Sequence, residues 1–135
     1  FDVKGKTFLQ FVCRETGIPR SKITQKIESL GFETERLKLS VNYYSTEEKQ
    51  KLIAAIALAS DKSLVINDFL LGASRELEKQ FLQALDRETQ DTENERTVVY
   101  ISRHLYEPAS SLTTQPIQVK DYQYFLLEPL KVSLR

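Results

Sequence analysis

Two short apolar runs in the second half of the chain constrain its fold most strongly. Residues 64–66 are wholly apolar and end in Asn67 and Asp68, and residues 97–102 are rich in β-branched side chains. Runs of this kind are typical of strands that are buried on both faces of a parallel sheet. A segment with helical periodicity, residues 74–85, separates the two runs. The order strand, helix, strand predicts a βαβ unit with parallel strands.

The first 45 residues predict a helical hairpin. The first helix is expected to stop before Pro19, because the residue before a proline avoids the helical region. The second helix is expected to begin at Ser21 as its N-cap and to end at Gly31. The apolar positions that define the two helices are Phe8, Leu9, Phe11 and Val12 in the first and Ile23, Ile27 and Leu30 in the second.

A third helix is predicted after Ser45 or Thr46, either of which can cap it, and it extends to about Ala59. Short, partly alternating runs near the C-terminus, separated by Pro129, predict an edge or a hairpin. The predicted fold class is therefore α/β: a helical hairpin subdomain at residues 1–45, then a core at residues 46–135 with a partial parallel sheet and a short C-terminal β hairpin.

Composition narrows the classes of partner. The chain has 135 residues with 19 Lys+Arg and 19 Asp+Glu, so its net charge of zero gives no footprint for nucleic acid. The single Cys13 cannot form an internal disulfide, no zinc-type spacing is present, and a reducing cytosolic compartment is expected. No apolar run reaches the roughly 20 residues that span a bilayer. Because the sequence begins at Phe1 and contains no Met, we expect a piece of a longer protein.

Polar residues directly after the two predicted strands are the first candidates for chemistry, because ligands of parallel α/β sheets bind beyond the carboxyl ends of the strands. Asn67 and Asp68 follow the first strand, and Arg103 and His104 follow the second. An acidic residue there can hold Mg²⁺ or orient an attacking water in a nucleotide hydrolase. The alternative is structural: the acidic pair ends a strand and caps a turn, and His104 forms an ordinary hydrogen bond.

The order of these segments resembles the second half of an ATP-binding-cassette (ABC) transporter nucleotide-binding domain, a P-loop NTPase. Residues 8–30 resemble its helical subdomain, and residues 44–52 fall where the family carries its LSGGxxQR-type signature. Residues 64–68 fall on the Walker B strand, residues 69–74 take the place of the D-loop, and residues 97–104 correspond to the strand that leads to the switch histidine.

The resemblance implies a role for each matching residue. It makes Asp68 and His104 the catalytic positions and assigns nucleotide binding to Ser45, Thr46, Gln50 and Asn67. It implies ATP and Mg²⁺ as cofactors of the parent family, a second ATP-binding cassette and a transmembrane transporter subunit as partners, and a cytoplasmic location, peripheral at the inner face of the membrane through that subunit.

The departures from the family pattern predict a degenerate relative. Thr46 and Glu47 stand near the two signature glycines, and a carboxylate beside a phosphate repels it. Asn67 replaces the usual Asp, Asp68 replaces the catalytic Glu, and His104 lies one residue late. The chain alone is therefore predicted neither to bind ATP tightly nor to hydrolyse it.

The phosphate-binding loop has one candidate, Gly5-Lys6-Thr7, which matches the end of a GxxxxGK[ST] motif without its first glycine and without a preceding strand. The preferred interpretation is that residues 2–11 enter the helical subdomain and that any true loop lies upstream.

Three functions remain open from the sequence. The first is an ABC transporter ATP-binding subunit or a fragment of one, impaired in ATP binding and hydrolysis. The second is a non-catalytic regulatory or interaction module that keeps an ABC-like fold. The third is a helix-turn-helix DNA binder at residues 7–30, against which Glu28 and the neutral charge of the chain argue.

Overall fold

The computed structural model describes residues 2–62, 64–67, 74–90, 97–102, 116–119 and 122–127. The chain divides into two compact units, Phe1–Ser60 and Asp61–Arg135. The division falls after Ser60, whereas the sequence analysis placed the domain boundary at residue 45. The third helix is thus a part of the first unit.

The described part of the first unit is helical. Three α-helices form its body: α1 at Gly5–Thr16, α2 at Arg20–Ser29 and α3 at Thr46–Ala59. Two short 3-10 helices, Thr34–Lys38 and Val41–Tyr43, connect α2 to α3. The chain before α1 is fixed to this connection by backbone hydrogen bonds, from Gly5 N to Leu39 O at 3.0 Å and from Val41 N to Val3 O at 2.8 Å.

Glycine and proline set the helix ends. Gly17 ends α1 in the left-handed region at φ 75°, and Gly31 follows α2 at φ 78°, a conformation that glycine adopts without the steric cost that other residues meet. The predicted N-cap of α2 is wrong: the helix begins at Arg20 with Pro19 as its cap, two residues earlier than a Ser21 cap requires. The carbonyl of extended Pro19 already accepts the amides of Lys22 and Ile23.

The core of the first unit forms where α2 packs against α3. Ala54 and Ala55 are fully buried, and their small side chains allow close approach of the two helix backbones. Each fully buried Ile or Leu contributes about 1.5–3 kcal/mol relative to exposure. The buried apolar residues of this unit are Leu9, Val12, Ile23, Ile27, Leu30, Phe32, Leu37, Tyr44, Leu52, Ala54, Ala55, Leu58 and Ala59.

The second unit contains β1 at Leu64–Asn67, α4 at Arg75–Gln90, β2 at Val98–Ser102, β3 at Pro116–Val119 and β4 at Tyr122–Leu127. As the sequence predicts, α4 begins after Ser74, whose hydroxyl oxygen accepts the amide of Leu77 at 3.2 Å. The predicted apolar face of α4 is buried, with Leu77, Phe81, Leu82 and Leu85 at most 2% exposed.

The four strands form a sheet in the order β1-β2-β4-β3. β1 and β2 are parallel, with Val65 opposite Val99. β4 is antiparallel to β2, with Tyr100 opposite Phe125, and β3 is antiparallel to β4. The sheet is therefore mixed.

The predicted fold class is wrong. The described residues are mostly helical, which does not fit an α/β fold built on a parallel sheet of P-loop NTPase type. Two physical causes account for the difference. The first unit, which includes α3, builds its own helical core. In the second unit the short connection between β3 and β4 requires antiparallel pairing of these two strands, and β4 also pairs antiparallel with β2, so β1 and β2 are the parallel pair.

Candidate functional site

The residues predicted to handle nucleotide are distributed over both units. Those that the structure describes are Ser45, Thr46, Gln50 and Asn67, and those that fall outside the described residues are Asp68 and His104. Ser45 precedes α3 as its N-cap, Thr46 is the exposed first residue of the helix, and Gln50 is buried one turn later. Asn67 is the last residue of β1.

The N-terminus of α3 is closed by its own side chains. The Ser45 hydroxyl oxygen accepts the amide of Glu48 at 3.1 Å, and Glu48 Oε1 accepts the amide of Ser45 at 3.0 Å. This reciprocal pair is a capping box, which satisfies two amides that a helix terminus otherwise leaves open. The Glu48 carboxylate thus takes the place that an external anion would take at a helix N-terminus.

Arg36 holds that carboxylate from the side of the first 3-10 helix. Its Nε donates to Glu48 Oε2 at 2.6 Å and its Nη2 to Glu48 Oε1 at 3.0 Å, a two-point contact, while Nη2 also reaches the carbonyl of Tyr43 at 3.1 Å. The hydrogen bond from Arg36 holds the pKa of Glu48 below its ordinary value. The same hydrogen bond raises the pKa of Arg36. The carboxylate stays ionised and bound to Arg36 at neutral pH.

Tyr44 extends this network into the core. Its hydroxyl donates to the carbonyl of Arg36 at 2.7 Å, its ring meets Phe32 edge-on with centroids 5.6 Å apart, and the Arg36 guanidinium lies 5.8 Å from its ring centroid. Burial raises the pKa of the Tyr44 hydroxyl above its ordinary value. The ring is therefore held on several sides, in one orientation.

An apolar groove opens beside this network in the first unit. Its volume is about 210 Å³, and it is lined by Phe8 of α1, Val41 of the second 3-10 helix, Tyr44, and Lys49, Leu52 and Ile53 of α3. Tyr44 and Leu52 are buried, whereas 51% of Ile53 is exposed. One turn further along α1, Phe11 is 52% exposed and lies under the Arg14 guanidinium at 5.6 Å from the ring centroid.

The charged side chains near the groove differ in whether they form ion pairs. The two carboxylates in the first turn of α3 interact elsewhere: Glu48 with Arg36, and Glu47 with Lys51 at 4.0 Å. Within the part of the chain that the structure describes, no carboxylate forms an ion pair with the Lys49 ammonium group. A cation that no carboxylate of the described residues pairs with therefore lines an apolar concavity.

Gly5 does not belong to a phosphate-binding loop. It is the buried first residue of α1, and a Cβ added there would overlap the Tyr44 hydroxyl oxygen and lie 3.1 Å from Leu37 Cδ2 and 3.2 Å from Leu37 Cα. The glycine permits close packing of protein against protein. A phosphate has no room against this backbone.

The sequence-based predictions included neither Arg36 nor the groove, and they did not give Glu48 its role in the cap. The spacing of Ser45 and Glu48 is the S-x-x-E signature of a capping box, and it was available in the sequence. No local signal joins Arg36 to Glu48 across 12 positions. The groove depends on which side of α1 meets α3, and that follows only from tertiary packing.

In the described ranges no helix is long and apolar enough to cross a membrane, and no cluster of three or more His, Cys, Asp or Glu side chains is arranged to hold a metal ion. Comparison of the chain with protein-family models, with curated proteins and with solved structures gives no match. The assignment of function therefore depends on the residues themselves.

Proposed function

We propose that this chain is an ABC transporter ATP-binding subunit, or a fragment of one, that neither binds nor hydrolyses ATP by itself and acts by contacting a membrane partner. The family part of the proposal rests on the order of segments in the sequence, and the loss of nucleotide binding rests on the closed N-terminus of α3, where Ser45 and Glu48 cap each other and Arg36 holds Glu48. This is the position that the resemblance assigns to the signature sequence.

Electrostatics supports the loss of nucleotide binding. Preorganised amides and cations supply most of the stabilisation of a phosphoryl group in enzymes. Here the Ser45 and Glu48 amides are already bonded, and the carboxylates of Glu47 and Glu48 stand in the first turn of the helix. A carboxylate repels a phosphate, and Arg36 and Lys51 already pair with these two carboxylates and so do not serve as free cations for a phosphate.

Calorimetric titration of the full chain with Mg-ATP tests this part of the proposal. We expect no saturable heat in the micromolar range, and the same flat isotherm when magnesium is withheld. Saturable, magnesium-dependent binding with a micromolar Kd would show that a nucleotide site is intact and that the closed cap does not exclude phosphate.

We place the contact with the membrane partner at the α1–α2 turn, on the cytoplasmic side. Ile18 and Pro19 form a small apolar centre there, surrounded by exposed Arg14, Glu15 and Arg20. Interfaces combine an apolar centre with a charged rim, in which the apolar contact supplies affinity and the charges supply orientation. Because the cap is closed, we do not expect the chain to pair with a second ATP-binding cassette around a shared ATP.

Charge reversal tests the membrane contact in the parent protein. Arg20→Glu with Lys22→Glu should lower the membrane-bound fraction and leave the melting temperature nearly unchanged, since surface changes seldom exceed about 0.5 kcal/mol. The matched control is Lys79→Glu with Arg87→Glu, which makes the same change of net charge on exposed positions of α4. Equal effects of the two double variants would mean that net charge, and not the turn, determines membrane association.

A second function, a regulatory module that works by binding another protein, is favoured by the groove beside α3. The groove combines apolar lining with exposed Ile53 and with the Lys49 ammonium group. Such a module needs no nucleotide. Binding of a partner's peptide segment in this groove would distinguish a regulatory module from a fragment that only contacts a transporter.

A further inference from the structure

The groove between α1, the second 3-10 helix and α3 has the size of a side-chain pocket. Its volume of about 210 Å³ exceeds that of an engineered cavity of about 150 Å³ that accepts benzene. It falls short of the roughly 300–1,000 Å³ typical of sites for drug-sized small molecules. The space suits one aromatic or two aliphatic side chains of a peptide.

The floor of the groove is prearranged. Tyr44 is fixed by its hydrogen bond to Arg36 O, by the Phe32 ring and by the guanidinium above it. A site whose side chains are already ordered avoids part of the entropy cost that binding otherwise requires. An occupant can therefore dock on Tyr44 and Leu52 without rearrangement of the core.

The charge on the groove determines which segment fits. Lys49 lines it and forms no ion pair with any described carboxylate, because Glu47 and Glu48 interact with Lys51 and Arg36. An occupant with an acidic side chain next to its apolar ones complements this cation, and a basic one is repelled. Acidic character is the feature that distinguishes the fitting partner from other amphipathic segments.

We propose that this groove binds a short, acidic, amphipathic helix of a partner protein. Apolar side chains of that helix insert between Phe8 and Ile53 onto Tyr44, and a carboxylate pairs with Lys49. The mode is helix-in-groove, with two aliphatic anchors one helical turn apart, at i and i+4, in the space that the groove offers. Binding of this helix does not require nucleotide. A result that contradicts this inference therefore leaves the proposed loss of ATP binding unaffected, and the reverse also holds.

Two synthetic helix-forming peptides, labelled for fluorescence anisotropy, test the proposal on the full chain. Both carry leucines at i and i+4, and the flanking positions are glutamate in one and lysine in its twin. We expect the glutamate peptide to bind about three- to tenfold more tightly, the range that exchanging an attractive for a repulsive surface pair produces. Ile53→Asp should abolish binding of the glutamate peptide.

The Lys49→Glu variant should reverse the preference, so that the lysine peptide binds more tightly. Lys79→Glu is the matched control, because it makes the same change of charge at an exposed position outside the groove lining and should preserve the preference. Circular dichroism spectra like that of the unaltered chain show that each variant is folded.

Three results would overturn the proposal. They are equal affinity of the unaltered chain for both peptides, equal effects of Lys49→Glu and Lys79→Glu, and no binding of either peptide at the limit of its solubility. Self-association of the chain that Ile53→Asp abolishes would make a second copy the occupant, which also contradicts the proposal.

Discussion

Replacing Gly5 by alanine tests the close packing at the start of α1. Helix propensity alone predicts that Gly5→Ala stabilises the protein by about 1 kcal/mol. The structure predicts the opposite, because the new Cβ overlaps the Tyr44 hydroxyl and lies 3.1 Å from Leu37 Cδ2. Overpacking of a core costs about 1–3 kcal/mol, and losing the Tyr44 bond to Arg36 O costs about 1 kcal/mol more. The expected net destabilisation is about 1–3 kcal/mol.

Tyr44→Phe provides the second arm of a double-mutant cycle. It removes the oxygen that the Cβ would overlap, and Leu37 atoms at 3.1 and 3.2 Å then become the nearest neighbours. Alone, Tyr44→Phe should cost about 1 kcal/mol for the lost hydrogen bond. Combined with Gly5→Ala it should cost at least about 1 kcal/mol less than the sum of the two single changes.

The assay is urea unfolding followed by far-ultraviolet circular dichroism, from which the free energy of unfolding of each variant is obtained. Gly17→Ala is the control, because a Cβ there meets no atom within 4 Å and the cost comes only from the left-handed backbone at φ 75°. The change that Gly17→Ala makes in the free energy of unfolding should add to the change made by Tyr44→Phe. Additivity of Gly5→Ala and Tyr44→Phe within about 0.5 kcal/mol, or stabilisation by Gly5→Ala, would refute the packing that we describe.

Further predictions concern the cap, the core and the response to pH. Ser45→Ala should lower the free energy of unfolding by about 1 kcal/mol, measured in urea, because the Glu48 amide loses its acceptor. Ala55→Leu should cost about 1–3 kcal/mol in the same assay, since no space exists at this fully buried position. The folded state lowers the pKa of Glu48 below 4.5, so its contribution is present above that pH and is lost as the pH falls through the folded pKa. The stability difference between the unaltered chain and Glu48→Gln should therefore shrink in acid. Burial raises the pKa of Tyr44, so at alkaline pH its ionisation should destabilise the fold, and Tyr44→Phe should remove that loss.

Local patterns in the sequence predicted the elements well where the determining contacts are local. Gly31 ends α2 and Ser74 caps α4 as expected, because both effects act within one turn of a helix. The cap of α2 was misplaced because Pro19 and Ser21 are both good starts, and the sequence gives no sign of which one the backbone uses.

Non-local contacts account for what the sequence could not predict. The antiparallel position of β4 beside β2 depends on pairing between Tyr100 and Phe125, which are far apart in the chain. The network of Arg36, Glu48 and Tyr44 likewise joins a 3-10 helix to α3. The resemblance predicts a phosphate-handling sequence at the start of α3, where the structure shows a cap formed by the chain's own side chains.

The most direct test of the closed cap is an amide NMR titration of the full chain with Mg-ATP. The amide of Glu48 donates to Ser45 Oγ and the amide of Ser45 to Glu48 Oε1. We expect both resonances to stay in place at millimolar nucleotide, with magnesium present or absent. Saturable, magnesium-dependent shifts at Ser45 and Glu48 would contradict this expectation, because they would show that phosphate displaces the carboxylate from the N-terminus of α3.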